Sequence, residues 1–169
     1  LFSDGVQEFH GYKLLSNCNQ ADYVGCLGQG GGSTALYDAT CDAVDALNDY
    51  AGVLYASDFR ANGIIIVITD GDDNNSKYTV SNVKTKLSDI TREEKLESLV
   101  SILIGVNIHD PHMQNCLKNY HTSAGIREYI EINNASAGSL AKLAQFVSRS
   151  IAAQSQALGT GGASQPITF

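Results

Sequence analysis

The sequence predicts an α/β protein, a three-layer sandwich with a mostly parallel central sheet and helices on both faces. Three observations predict it. Apolar runs of strand length alternate with stretches of helical spacing along the chain. One run, Ile64 to Ile68, is continuous rather than alternating, as in a parallel strand covered on both faces. That run stops at Thr69-Asp70-Gly71, a turn placed at the carboxyl end of the strand, where open α/β sheets bind ligands.

Tyr12 to Leu15 is a candidate strand after an Asp4-Gly5 turn. The glycine-rich run Gly28 to Gly32 leads into a helix from about Ala35 to Leu54, with Leu36, Ala39, Ala43, Val44, Leu47 and Ala51 at helical spacing. Ser33 or Thr34 is placed to cap it, accepting a bond from a first-turn amide. After the strand Gly63 to Thr69, the positions Val80, Val83, Leu87 and Ile90 mark a second helix. Leu99 to Ile104 is a further strand ending at Gly105. Asp110-Pro111 reads as a cap followed by a first-turn proline, opening a helix with Met113, Cys116, Leu117 and Tyr120 inward. Tyr129 to Ile132 is the last strand, and Leu140, Leu143, Ala144, Val147 and Ile151 form the stripe of a final helix.

Residues 1–156 read as one domain, for which 43% hydrophobic content supplies the core, and residues 157–169 as a Gly/Ser-rich tail that a partner would have to order. With 11 basic against 18 acidic residues the net charge is −7, which disfavours nucleic acid and anionic membrane as partners. No run reaches the roughly 18 to 20 apolar residues of a membrane span. The cysteines are not spaced as a zinc ribbon or a redox pair. Cys41 and Cys116 read as buried thiols, whereas Cys18 and Cys26 flank a polar loop that a disulfide would close.

The residues that carry chemistry lie in two segments. Asp70, Asp72 and Asp73 follow the buried run, and Gly30 to Thr34 places hydroxyls at the mouth of a helix. Either the acids solvate a loop and Thr34 caps, or both segments hold a cation; capping and ligation are compatible for one threonine. A phosphate loop is ruled out because no lysine precedes Ser33-Thr34. An EF-hand fails because Ser81 stands where the bidentate glutamate belongs. His109 and His112 lack a placed carboxylate or third ligand. No Gly-x-Ser-x-Gly elbow or Cys-His set emerges, so the residues point away from an enzyme.

Thr34 in its glycine-led loop, together with the Thr69-Asp70-Gly71 turn, resembles the von Willebrand factor type A family. The resemblance implies a Rossmann-like fold and a metal-ion-dependent adhesion site to which Thr34 and Asp70 contribute, with Ser33, Asp72 and Asp73 in support. It implies binding of a protein partner that presents a carboxylate to Mg2+, or to Mn2+ or Ca2+, in adhesion or assembly. The family's other signature, Asp-x-Ser-x-Ser on its first strand, occurs nowhere in these 169 residues. Leu1 to Gly5 looks like the end of the family's second strand, so the chain is expected to be a fragment, to be completed by another segment, or to have a rearranged sheet. The ion is expected only where residues absent from this chain complete the site. Two alternatives stand beside this one: a metal-independent subunit of a larger assembly, and a phosphoacceptor domain with Asp70 as acceptor.

Overall fold

Seven regular elements follow a largely irregular amino-terminal segment in the computed structural model, which describes residues 1–26 and 32–160. In chain order they are α1 (Leu36–Ala56), β1 (Asn62–Thr69), α2 (Val80–Arg92), β2 (Ser98–Val106), α3 (Pro111–Ala124), β3 (Glu128–Ile132) and α4 (Ala137–Thr160). The fold is a three-layer α/β sandwich of Rossmann-like type. Its three strands are parallel in the order β1-β2-β3, with Ile66 opposite Ile102 and Ile104 opposite Ile130.

The period of two along each strand divides the core. Ile65, Val67 and Leu103 face α1, α2 and α3, meeting Val44, Val83, Leu87 and Leu117. Their neighbours Val100, Ile102, Ile104, Ile130 and Ile132 face the opposite way onto Leu143 and Phe146 of α4. Helices α2 and α3 share a face because two parallel crossovers that step in the same direction with the same hand must do so. The α1–α3 layer also contains a buried polar link: the Tyr120 hydroxyl donates to Thr40 Oγ1 at 2.8 Å, and Thr40 Oγ1 donates to Leu36 O at 2.9 Å.

Several expectations are met. Asp110 caps α3, accepting from the amides of His112 (3.2 Å) and Met113 (3.4 Å), with Pro111 in the first turn. Gly125 ends that helix at φ 72°, a left-handed conformation that suits glycine.

Others are corrected. The strand covered on both faces is β2, which is buried from Val100 to Gly105; β1 is an edge strand, pairing on one side only, and its Ile68 is 48% exposed. Tyr12 to Leu15 is not a strand. Leu15–Asn17 is a turn of 3-10 helix, and the pairing of the first segment among the described residues is an isolated antiparallel bridge between Phe2 and Val6. Cys116 is half-buried, while Cys41 is fully enclosed; Cys18 and Cys26 are free thiols. On α4 the inward face is Leu143, Phe146, Ser150, Gln154 and Ala157, leaving Leu140, Ala144 and Ile151 outside. Serine fits there because Ser150 Oγ donates to Phe146 O (2.8 Å) within the helix, which removes the cost of burying it. α4 continues past residue 156 to Thr160. The remainder of the expected tail, 161–169, and Gly28 to Gly31 of the glycine-rich run lie outside the described residues.

Candidate functional site

The carboxyl edge of the sheet is where the sequence placed its candidates, and the fold brings them to one side of the molecule. Thr69 ends β1, and its hydroxyl closes the turn, donating to Gly71 O at 2.7 Å and accepting from Gly71 N at 3.2 Å. This holds Asp70 at the crest, exposed and with no hydrogen bond to another described residue. Thr34 arrives from the segment before α1. A Cβ added to Gly71 would stand 3.5 Å from Thr34 Oγ1, so the threonine hydroxyl and the Asp70-Gly71 turn are neighbours.

Backbone bonds hold the two segments together. Thr34 N donates to Asn74 Oδ1 at 2.6 Å, and Thr34 O accepts from the amides of Asn74 (3.0 Å) and Asn75 (3.2 Å). Asp4 adds a third segment: its side chain accepts from Ser33 N (3.2 Å) and its carbonyl accepts from Asn75 Nδ2 (2.6 Å). Ser33 is therefore tied by its main chain to the amino-terminal segment. Asn74, Asn75 and Asp4 went unassigned in the sequence, because their partners lie roughly 30 to 70 positions away and no local pattern marks them.

The cap of α1 is also corrected. Its N-cap is Ala35, which has no side-chain acceptor, and neither Ser33 nor Thr34 takes that role. The acceptors come from across the site. Asp73 Oδ1 accepts from Tyr37 N at 3.2 Å and from the Ser76 hydroxyl, while Ser76 Oγ accepts from the amides of Tyr37 and Asp38, each at 3.0 Å. Asp38 returns the contact, accepting from Lys77 N (3.1 Å) and Tyr78 N (2.8 Å). Asp73 is thus committed to a helix end, where a carboxylate satisfies orphan amides and meets the positive end of the helix dipole.

Asp72 faces elsewhere. Its Oδ1 accepts from Asp73 N at 2.8 Å. Asp72 also stands beside Cys116 of α3, whose Sγ lies 3.7 Å from His112 Nε2. Hydrogen bonding toward Asp72, then burial, then the charges of Asp72 and Asp110 push the Cys116 thiol up from its ordinary range. Burial first, then the charges of Asp72 and Asp73, push the Tyr37 phenol up to about 12. The carboxylates therefore make this edge electronegative. Because a raised pKa keeps Cys116 protonated, Asp72→Asn should lower it and speed alkylation of Cys116 by iodoacetamide at pH 8, followed by peptide mass spectrometry. An unchanged rate would separate the two side chains.

A cation at this edge would find the Thr34 hydroxyl and the Asp70 carboxylate. A hard divalent ion takes about six oxygen ligands or more, and Mg2+ keeps near-octahedral geometry. Among the described residues no three His, Cys, Asp or Glu side chains gather in a way that would hold a metal. The described residues alone therefore do not fit a tight site. Compared with known protein families, with curated proteins and with solved structures, the chain matches none.

Proposed function

We propose that this chain is a protein-interaction module of the von Willebrand factor type A kind, which binds its partner at the carboxyl edge of the sheet. The observation that carries the reading is the meeting of Thr34 with the Asp70-Gly71 turn: a hydroxyl and a free, exposed carboxylate held on a rigid strand end. A side chain without a hydrogen-bond partner among the described residues, set on a braced turn, is arranged for an outside group. Where a further segment supplies the missing ligands, a divalent cation such as Mg2+ would join Thr34 and Asp70 to a carboxylate of the partner.

A metal-independent docking role within a larger assembly is favoured by a different observation. The first segment exposes Leu14, Leu15 and Val24, with Leu15 at 84% and Val24 at 81%, apolar side chains that a partner surface would cover. Capture of interacting proteins by the chain and by Asp70→Ala, each with and without a chelator, separates the two. Loss of capture in Asp70→Ala is expected from the edge reading, by about tenfold or more for a central charged contact, and loss with a chelator only where a further segment completes the ligands of the ion. Capture indifferent to both would replace it with metal-independent docking.

A further inference from the structure

Helix α3 carries a pair of metal-ligating side chains that the reading at Asp70 does not use. His112 and Cys116 stand four residues apart, about one helical turn, and so share a face. On that face Cys116 Sγ lies 3.7 Å from His112 Nε2. His112 is exposed and Cys116 half-buried, which leaves the pair open to an ion from solvent. The neighbouring His109 is engaged elsewhere, its Nε2 lying 2.9 Å from Asn107 Oδ1.

We infer that His112 and Cys116 bind one divalent cation of the Zn2+ class through Nε2 and Sγ, with water in the remaining positions. Three features select that ion. Zinc–sulfur and zinc–nitrogen bonds of about 2.3 and 2.0 Å, at a tetrahedral angle, set the two ligand atoms about 3.5 Å apart, so the pair needs only a slight adjustment to close on the ion. Thiolate and imidazole favour Zn2+ over the hard ions Mg2+ and Ca2+, which take oxygen. The surroundings are negative, since the charges of Asp72 and Asp110 both bear on the sulfur. A dipositive ion is drawn to those carboxylates, and it takes the place of the thiol proton, which leaves to solvent.

Asp72 has the place of an outer partner that orients a ligand. It stands beside the sulfur and is itself held by the bond from Asp73 N to its Oδ1 at 2.8 Å. Among the described residues no third His, Cys, Asp or Glu joins the pair as a ligand. The ion is therefore held by two side chains of this chain, more weakly than in a four-ligand structural zinc site, and it keeps exchangeable positions.

Calorimetric titration of the reduced chain with Zn2+ tests this. One ion per chain is expected to bind with micromolar affinity. Asp72→Asn should weaken binding by about tenfold, as removal of an outer partner does, and His112→Ala and Cys116→Ser should each weaken it further. His112→Ala alters an exposed side chain, so its circular dichroism should match that of the parent chain. Cys18→Ser and Cys26→Ser, which remove the other half-buried thiols, should leave binding unchanged, as should Asp70→Ala. Co2+ in place of Zn2+ should give a thiolate-to-metal charge-transfer absorption that Cys116→Ser abolishes. A parent chain that binds no Zn2+ saturably would overturn the inference, and so would binding that keeps its full strength in His112→Ala or Cys116→Ser. Loss in Cys18→Ser, Cys26→Ser or Asp70→Ala instead would place the ion elsewhere and overturn it too. Because Asp70→Ala is expected to abolish partner capture and to spare Zn2+ binding, the two readings fail separately.

Discussion

Phe146→Ala is expected to cost about 3 to 5 kcal/mol, the range for truncating a large buried side chain and leaving a cavity. Phe146 is 1% exposed and is the largest side chain that α4 contributes beneath the sheet, packing with Leu143 against the β2 and β3 face that carries Ile102, Ile104, Ile130 and Ile132. Few other side chains cover that face, whereas three helices cover the other. A domain holds only about 5 to 15 kcal/mol in all, so the loss should lower the denaturant midpoint steeply and expose the sheet. Ala144→Ser, one turn position away and exposed, should change stability by no more than about 0.5 kcal/mol. Equal effects of the two substitutions in urea titration would mean that α4 lies on the sheet by another face.

Asp73→Ala should be the most damaging change within the acidic loop, at about 2 kcal/mol, a cap and charge-assisted bonds lost together. The reason is the trans cap: the Asp73 carboxylate holds Tyr37 N and the Ser76 hydroxyl, and Ser76 in turn receives two first-turn amides of α1. Asp73→Asn keeps an acceptor and should recover part of the loss. Asp70→Ala, by contrast, should leave the melting temperature nearly unchanged, because Asp70 bonds to nothing in the described structure. The difference between neighbouring aspartates is the useful result. It distinguishes an acid that holds the fold from one left free for a partner, and equal melting temperatures would remove that distinction.

Those two aspartates also show what the sequence does and does not reveal. The three described strands are legible as apolar runs of strand length, and the four long helices as apolar positions at helical spacing. The Asp110-Pro111 start of α3 is legible too, because a cap is a local arrangement. The role of Asp73 is not, since its partners at Tyr37 and Ser76 meet only once β1 lies against α1. The inward face of α4 was misjudged for a related reason. Ser150 and Gln154 look polar, yet Ser150 bonds within its own helix and Gln154 Oε1 accepts from Ser98 Oγ at 3.5 Å, while the Gln154 main-chain carbonyl accepts from Asn62 Nδ2 at 2.8 Å, so both face inward. The edge position of β1 is not legible, because a continuous apolar run reports cover on the two faces of a strand and not pairing along its edges. Thr34 and Asp70 are linked in the sequence only through a resemblance and not through periodicity; in the fold Thr34 Oγ1 lies beside Gly71, the residue after Asp70.

On the proposed reading this edge is one side of a binding site, with the Asp70 carboxylate unbonded among the described residues and the Thr34 hydroxyl nearby, and not a finished metal centre. Calorimetric titration of the chain with Mg2+ and Mn2+, alongside Asp70→Ala, tests it most directly. The account predicts weak binding for the chain alone, without saturation below the millimolar range, and little difference between the two proteins. A stoichiometric site of micromolar affinity that disappears in Asp70→Ala would contradict it, and would show that these residues complete a metal centre by themselves.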